Sequence, residues 1–246
     1  MKVTAYQAPL LLSGSMEAID LIRDQVRACD SAGVEILCCP EAVLGGLADC
    51  AIRPADFAIE VQRGQLQAVL GPLASNKVTT ILGFTELGPG GRLFNSAAIL
   101  HKGVVAGLYR KRHLAIHSSI YEPGTETPVF TVGGLTFGIL ICRDSTFREP
   151  ARIMAEKGAT ALFVPTNNGL PPSKGGVGVV DEARHCDVTR AIENGVSVIR
   201  ADVAGRAGGL MSYGSSAIVD GNGVVLASAS QLESVLIVGD IDVRRG

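Results

Sequence analysis

The sequence feature that most constrains the fold is a series of short apolar runs that do not alternate with polar residues. Val34–Cys39, Phe137–Ile141 and Thr160–Pro165 are three of them. Such runs are typical of strands that are buried on both faces of a sheet. Hydrophobic residues make up 47% of the chain, aromatic residues only 4%, and Trp is absent, so Val, Ile, Leu and Ala must fill the core. We therefore expect an α/β fold with buried strands.

The N-terminal part of the chain predicts how the sheet begins. Lys2–Gln7 is a predicted strand, and Ser15 can cap a helix whose apolar residues recur every three or four positions. Gly33 ends that helix, and the strand Val34–Cys39 follows. Because a strand–helix–strand unit joins parallel strands, the sheet is expected to be parallel or mixed. The apolar stripe of the helix consists of Ile19, Ile22, Val26 and Cys29.

Helices and strands alternate along the rest of the chain, and hairpins interrupt the series. Hairpin turns are predicted at Lys102-Gly103, Gly133-Gly134 and Gly221-Asn222-Gly223. The pattern predicts mixed sheets in a layered architecture, and we expect a single domain over residues 1–246. The remaining predicted helices are Gln62–Ala74, Glu149–Glu156 and Val179–Asn194, and the remaining strands are Val78–Phe84, Ser96–His101, Val104–Tyr109, Thr127–Val132, Leu135–Cys142, Val196–Ala201, Ser215–Asp220, Val224–Ser228 and Val235–Ile241.

Charge and hydropathy argue against two classes of partner. The net charge is −2, and no basic run is longer than Arg110-Lys111-Arg112, so we expect no nucleic-acid partner. No apolar stretch approaches the roughly 20 residues that cross a bilayer, so we expect no membrane partner. The first apolar stretch is interrupted by Tyr6, Gln7 and Pro9 and does not resemble a signal peptide. The expected location is the cytoplasm.

The six cysteines do not form a pattern that indicates disulfides or a metal. No two are spaced as C-x-x-C, and a chain of this length has no need of a disulfide framework. His185, Cys186 and Asp187 are consecutive, and neighbouring residues on a helix point in different directions, so they cannot all bind one ion. We expect no metal and no cofactor.

Three predicted strands end in residues whose chemistry fits together. Glu41 follows the first of these strands, Lys111 the second and Cys142 the third. A thiolate is a strong nucleophile, a shielded carboxylate can carry its proton, and an ammonium can stabilise an oxyanion. The nearby Lys111 is expected to lower the pKa of the Cys142 thiol. Read one by one, these residues have ordinary alternatives, such as an inert core cysteine and a solvated lysine.

The three segments together resemble the signature blocks of the nitrilase (carbon–nitrogen hydrolase) superfamily. They occur in the order of that family as ILCCPEAVLGG with Glu41, NSAAILHKGVVAGLYRKRHL with Lys111 and GLTFGILICRDSTFREPAR with Cys142. Further matches are GFTE at Gly83–Glu86, RAIENG at Arg190–Gly195 and SYGSSAIVDGNGVVLAS near the C-terminus. The resemblance extends from the first strand to about residue 241.

The resemblance implies a fold, an assembly and an activity. The fold is a four-layer α-β-β-α sandwich with two mixed β-sheets, and two copies pair as a homodimer or a dimer-based oligomer. The activity is cofactor-free cleavage of a non-peptide C–N bond in a small amide or carbamoyl compound, through a thioester on Cys142, with release of ammonia or an amine. Glu41 is then the general base, and Lys111 stabilises the oxyanion.

The chain departs from the family pattern at one position. Many members carry a second glutamate at a fixed distance before a Pro-Gly pair, and here that position is His117. Three possibilities are open: His117 takes over the role, Glu122 reaches in from the same loop, or the role is missing. Arg143, after the cysteine, and Asn167 and Asn168, in the loop after Pro165, are further candidate substrate-binding or supporting residues.

Two other functions are compatible with the same residues. The thioester can pass its acyl group to an amine or another acceptor, which would make the protein an acyltransferase. A degenerate site would leave a non-catalytic, dimeric binding protein, and only the missing glutamate at position 117 favours that reading. The presence of Glu41, Lys111 and Cys142 argues against it.

Overall fold

The computed structural model describes residues 1–243, and within them the chain forms two β-sheets and four α-helices. The strands are β1 (Lys2–Pro9), β2 (Ile36–Cys38), β3 (Ile59–Glu60), β4 (Thr79–Leu87), β5 (Leu93–His101), β6 (Val104–Arg110), β7 (Val129–Val132), β8 (Leu135–Ile139), β9 (Ala161–Pro165), β10 (Ser197–Ala201), β11 (Val203–Ala207), β12 (Leu210–Ser212), β13 (Ala217–Val219), β14 (Val225–Ser228) and β15 (Val235–Asp240). The α-helices are α1 (Ala18–Ser31), α2 (Gln65–Leu70), α3 (Arg148–Glu156) and α4 (Val177–Asn194). Short 3-10 helices cover Ala48–Cys50, Pro54–Phe57, Gly71–Leu73, Pro89–Gly91 and Cys142–Thr146.

Both sheets are mixed, as predicted. The first has the order β12-β11-β1-β2-β4-β5-β6, and β15 and β3 pair with β1 and β4. Strands β1, β2 and β4 are parallel, whereas β5 and β6 are added as antiparallel hairpins. The second has the order β14-β13-β10-β9-β8-β7, with β8, β9 and β10 parallel and β7 and β13 antiparallel to their neighbours.

The two sheets pack face to face, and the helices cover their outer faces. Ile36 and Ile81 of the first sheet share one core with Phe137, Phe163 and Ile199 of the second, and all five side chains are fully or almost fully buried. On the other side of the first sheet, a second apolar cluster joins the sheet to α1 and α2, and α3 and α4 cover the second sheet. This is the four-layer α-β-β-α sandwich that the family resemblance implied.

The first helix shows how the sequence determines the layers. Ile22, Val26 and Cys29 lie on one face of α1 and are buried against the first sheet. Gly33, just beyond the helix, has φ +69°, a left-handed conformation that favours glycine and ends the helix. The helix begins at Ala18 instead of next to Ser15, because the Ser15 hydroxyl accepts the backbone N–H of Glu17 and closes a turn before the helix.

Two details differ from the predicted elements. The helix predicted over Gln62–Ala74 is shorter, since α2 stops at Leu70 and the chain continues as a 3-10 helix at Gly71-Pro72, where proline lacks the N–H that a continuing helix needs. Strands β3, β11 and β12 were not predicted, because they are short and the last two lie in a glycine-rich segment. Within the described residues, every helix is too short or too polar to cross a bilayer.

Candidate active site

Glu41, Lys111 and Cys142 meet at one edge of the sandwich. They follow the carboxyl ends of β2, β6 and β8, which is where α/β proteins bind ligands. The Nζ atom of Lys111 lies 2.5 Å from Oε1 of Glu41, and the two side chains are only 3% and 1% exposed. Cys142 is partly exposed, and its thiol interacts electrostatically with both charges. The site is therefore a nearly enclosed ion pair beside a cysteine residue that is partly exposed.

Donors from both sheets hold the Glu41 carboxylate. Nδ2 of Asn95, on β5, donates to Oε1 at 2.7 Å, and the backbone N–H of Asn167, after β9, donates to Oε2 at 3.0 Å. The backbone N–H of Glu41 donates to the carbonyl of Thr166 at 3.2 Å. Within residues 1–243, Oε1 accepts from both Lys111 and Asn95, whereas Oε2 accepts only from Asn167, so Oε2 keeps a lone pair for another proton.

The backbone around Glu41 explains one of the sequence motifs. A Cβ atom on Gly83 would lie 2.3 Å from the backbone N of Ala42 and 2.6 Å from Cα of Glu41, so only glycine fits. Ala42 itself has φ +45°, a conformation that is rare for a residue with a side chain. Gly83 belongs to the GFTE segment, and its role is to let the Glu41 turn lie against β4.

The Pro-Gly pair of the next loop supports Lys111. The backbone N–H of Gly124 donates to the carbonyl of Lys111 at 2.8 Å, and Lys111 N–H donates to the carbonyl of Asn95 at 2.8 Å. A Cβ atom on Gly124 would lie 2.3 Å from the carbonyl oxygen of Arg110, so glycine is again required. Burial lowers the pKa of Lys111, but Glu41 and the other acidic groups around it outweigh burial and raise the pKa, which keeps the lysine charged.

Cys142 is held in a strained turn, and its thiol is a weak acid. It begins the 3-10 helix Cys142–Thr146 with φ +47°, and strain of this kind is concentrated at functional sites. Burial, followed by the charge of Glu41, raises the pKa of Cys142 to about 12, although Lys111 and Arg200 oppose the shift. Lys111 lowers the pKa of Cys142 as expected, but burial and Glu41 have the larger effect, so the expectation of a lowered pKa overall was wrong. The resting thiol is neutral and needs a base.

Asp144 links the cysteine turn to the lysine loop. Its buried carboxylate accepts the backbone N–H of Ile141 at 3.0 Å, the backbone N–H of His113 at 2.8 Å and the hydroxyl of Tyr109 at 2.8 Å. Asp144 was not among the residues predicted to form the site. The sequence around Asp144 does not indicate that its side chain contacts residues more than 30 positions earlier in the chain.

Arg200 bonds to the turn after β8, which contains Ser145, and to the loop after β9, which begins at Thr166. Its buried guanidinium makes a two-point ion pair with Asp187, at 2.6 and 2.8 Å, and donates to the hydroxyls of Ser145 and Thr166 at 2.9 and 2.7 Å. Ser145 in turn donates to the carbonyl of Cys142 at 2.8 Å. The sequence analysis did not select Arg200, although an arginine inside the apolar segment Val196–Ala201 is the kind of signal that indicates a buried ion pair.

Of the candidate supporting residues, only the two asparagines lie at the site. Asn167 contacts Glu41, and Oδ1 of Asn168 lies 3.9 Å from Sγ of Cys142. His117 is exposed and makes no hydrogen bond or ion pair with any residue of 1–243. Glu122 pairs with Arg92 at 3.3 Å. The structure therefore brings neither His117 nor Glu122 to Glu41 or Lys111. Both residues lie in a loop where their side chains face solvent.

Arg143 follows Cys142 in the chain, and its side chain is exposed. Its guanidinium is 5.9 Å from the centre of the Phe147 ring, which is itself 37% exposed. Among the described residues, the structure shows no contact of Arg143 with Glu41, Lys111 or the Cys142 thiol.

The fold and the site together define the class of α-β-β-α proteins that place a thiol beside a buried carboxylate–lysine pair. The family model "Carbon-nitrogen hydrolase" matches residues 2–245, so the chain belongs to the carbon–nitrogen hydrolase family and is a C–N hydrolase. This is the family that the sequence blocks indicated.

Individual relatives agree with the family match. The chain is 31% identical to a nitrilase of Pyrococcus abyssi over 76% of its own length and 69% of that protein. It is 31% identical to an (R)-stereoselective amidase of Pseudomonas sp over 81% of the chain and 70% of that protein. The solved structure of a cysteine-to-alanine mutant of Nesterenkonia AN1 amidase is 24% identical and superposes with a TM-score of 0.79, covering 97% of this chain and 89% of that one.

Proposed function

We propose that the protein is an amidase-type hydrolase that cleaves a small carboxamide or carbamoyl compound through a thioester on Cys142. The observation that carries the proposal is the buried Glu41–Lys111 ion pair, whose two charges both act on the thiol of the partly exposed residue Cys142. A carboxylate and an ammonium are expensive to bury, and here they are buried next to a nucleophile in a strained turn. The relative named an amidase supports this class of substrate, and the relative named a nitrilase supports C–N bond chemistry more generally.

Acylation needs the groups in defined roles. Oε2 of Glu41 takes the thiol proton as Sγ of Cys142 bonds to the substrate carbonyl carbon, and the carbonyl oxygen becomes an oxyanion. The ammonium of Lys111 stabilises that charge, and the enclosed position makes its contribution larger than it would be in water. Glu41 then gives the proton to the substrate nitrogen, and the C–N bond breaks as the carbonyl re-forms. Ammonia or an amine leaves, and the acyl group stays on Cys142 as a thioester.

Deacylation repeats the steps with water. Glu41 takes a proton from a water molecule, whose oxygen bonds to the thioester carbon while Lys111 again stabilises the oxyanion. The C–S bond breaks, the acid leaves, and the proton returns from Glu41 to the sulfur. The raised pKa of the Cys142 thiol fits this cycle, because the thiol is neutral at both ends of it and is deprotonated only when substrate is bound.

The enclosure of the site limits the substrate. The side chains of Glu41 and Lys111 are almost inaccessible, so only a small reacting group can lie between them and Cys142. We therefore propose a small-molecule substrate with a short acyl part near the reacting carbon.

The experiment that tests this function is ammonia release from a panel of small carboxamides, ureido acids and nitriles. We expect turnover of at least one carboxamide or ureido compound, and none by Cys142→Ala. Cys50→Ala is the matched control, since Cys50 is exposed and outside the site. Equal ammonia release by Cys142→Ala would overturn the proposal. Turnover that requires an added amine acceptor would assign the acyltransferase alternative, and a lack of any turnover would favour the binding protein.

We also propose that two copies pair as a homodimer in the cytoplasm. Ile192 on α4 is 59% exposed, and the neighbouring hairpin exposes Val224 and Leu226, so an apolar patch faces solvent in the isolated chain. Light scattering at micromolar concentration should give about twice the chain mass of 25.5 kDa, and Ile192→Glu should halve it. A monomeric wild type would contradict the dimer.

A further inference from the structure

Asn168, in the loop after β9, has a fixed side-chain orientation. Its backbone N–H donates to Oδ1 of Asp202 at 3.0 Å, and its Nδ2 donates to Oδ2 of Asp202 at 2.9 Å and to the hydroxyl of Ser215 at 3.3 Å. In the side chain of an asparagine, Nδ2 carries both N–H donors and Oδ1 is an acceptor only. With Nδ2 bound to Asp202, the carbonyl oxygen Oδ1 must point the other way, and there it lies 3.9 Å from Sγ of Cys142.

Asp202 prevents the side-chain amide of Asn168 from flipping by 180°. Its side chain is fully buried, and it accepts further hydrogen bonds from the backbone N–H of Val203 at 2.8 Å and from the backbone N–H and hydroxyl of Ser215 at 3.1 and 2.7 Å. Together with the two bonds from Asn168, five donors surround the carboxylate. A flipped Asn168 would place its carbonyl oxygen against these acceptors, which leaves buried groups unpaired.

Among the described residues, the side chains around Glu41 offer few accessible acceptors to a substrate amide nitrogen, since the unpaired Oδ1 of Asn95 is itself buried. Oε1 of Glu41 already accepts from Lys111 and Asn95, and Oε2 accepts from Asn167 and must also receive the thiol proton. His117 and Glu122 do not reach the site. A carboxamide nitrogen has two N–H groups, so at least one of them needs an acceptor besides Glu41.

We propose that Oδ1 of Asn168 accepts an N–H from the amide nitrogen of the substrate, and that Asp202 is the positioning residue that aims it. The inference rests on the proposed amidase function and names what the site selects: primary carboxamides and ureido groups, over esters and nitriles that have no N–H at the reacting carbon. The arrangement discriminates because a buried acceptor left unpaired weakens binding of the wrong substrate.

Two small electrophiles test this without turnover. Acrylamide and methyl acrylate both alkylate a thiol and have a carbonyl oxygen in the same place, but only acrylamide carries an amide N–H. The measured quantity is the ratio of the two labelling rates at Cys142, found by peptide mapping. Asn168→Leu keeps the side-chain size and removes the acceptor, and Asp202→Asn removes the charge that orients it. Asn222→Leu, in the exposed turn before β14, is the matched control.

We expect the ratio for acrylamide over methyl acrylate to fall by roughly tenfold in Asn168→Leu and in Asp202→Asn, the size of effect that loss of one hydrogen bond produces. The control should keep the wild-type ratio. General damage to the fold slows both reagents alike and leaves the ratio unchanged. An unchanged ratio in folded Asn168→Leu overturns the inference, and this variant decides the matter if Asp202→Asn does not fold.

The outcome is separable from that of the proposed function. If the wild type releases no ammonia from any amide and yet Cys142 shows the ratio change, the amidase proposal fails and Asn168 is an amide-binding residue of another activity. If the wild type hydrolyses amides and the ratio does not change, the hydrolase proposal stands and the role of Asn168 is refuted.

Discussion

The carboxylate of Asp144 accepts the backbone N–H of His113 at 2.8 Å, and this bond ties the loop after Lys111 to the turn that begins at Cys142. The two segments belong to different sheets, since Lys111 follows β6 and Cys142 follows β8. The distance between the lysine and the thiol therefore depends on a contact between sheets, and Asp144 supplies it through the backbone, without a part in the chemistry.

The first prediction concerns this contact. Asp144→Asn replaces one acceptor oxygen by a donor, so at least one of its bonds with Ile141, His113 and Tyr109 is lost inside the core. We expect the free energy of unfolding to fall by about 1–3 kcal/mol and ammonia release to fall more than tenfold, measured by urea titration and by turnover. Asp220→Asn is the matched control, because Asp220 also accepts backbone N–H groups but lies in an exposed hairpin turn. Equal effects of both substitutions would refute the special role of Asp144.

The second prediction concerns Lys111. Lys111→Met keeps most of the side-chain volume but removes the charge, so turnover should fall on the order of a hundredfold or more, the cost of losing one oxyanion donor. The same change leaves the Glu41 carboxylate buried without its cation, and we expect the melting temperature to fall as well. Lys102→Met, at the exposed β5–β6 turn, should change neither quantity. Wild-type turnover in Lys111→Met would exclude the assigned role.

The third prediction concerns Glu41→Gln, which should change the pKa of the Cys142 thiol and the turnover in opposite ways: the thiol becomes more acidic, but turnover is lost. The charge of Glu41 helps to raise the pKa of Cys142, so Glu41→Gln should lower that pKa while Lys111 still favours the thiolate. Ultraviolet thiolate absorbance should then titrate at lower pH than in the wild type, in which the pKa is about 12. Turnover should nevertheless be abolished, because no group is left to protonate the leaving nitrogen. A higher thiol pKa in Glu41→Gln, or retained turnover, would contradict the proposed proton relay.

The fourth prediction concerns the position where the family pattern is broken. Since His117 is exposed and Glu122 pairs with Arg92, neither should contribute to the chemistry. Rate–pH profiles of His117→Ala and Glu122→Ala should coincide with that of the wild type. If the rate–pH profile of His117→Ala lost the fall in rate that the wild type shows at low pH, the loop would have to move and bring the histidine to the site when substrate binds.

That Glu41, Lys111 and Cys142 lie in one place could be predicted from the sequence, because their three segments together resemble the signature blocks of the family, whereas each residue read alone has an ordinary alternative. Gly33 was likewise predicted as the end of the first helix. The alternation of strands and helices, from which the two mixed sheets follow, is also visible in the apolar pattern. For these features, the information lies within a few residues of the group concerned.

What could not be predicted depends on contacts between distant segments. Asp144 acts on the backbone of residues 112 and 113, and Arg200 bonds to Ser145, 55 positions away. The orientation of Asn168 is set by Asp202, a residue 34 positions further along the chain. The direction of the Cys142 pKa was mispredicted because the sequence does not show that burial and the charge of Glu41 outweigh the charge of Lys111.

The most direct test of the account is detection of the acyl group on the enzyme. The wild type is mixed with a carboxamide that it hydrolyses, quenched in acid within a single turnover, and digested for mass spectrometry, while released ammonia is measured in parallel. The account predicts the mass of the acyl group on the peptide that contains Cys142, one ammonia per acyl group, and loss of the adduct on treatment with hydroxylamine. Ammonia release with no adduct on Cys142, or an adduct on a different residue, would contradict it.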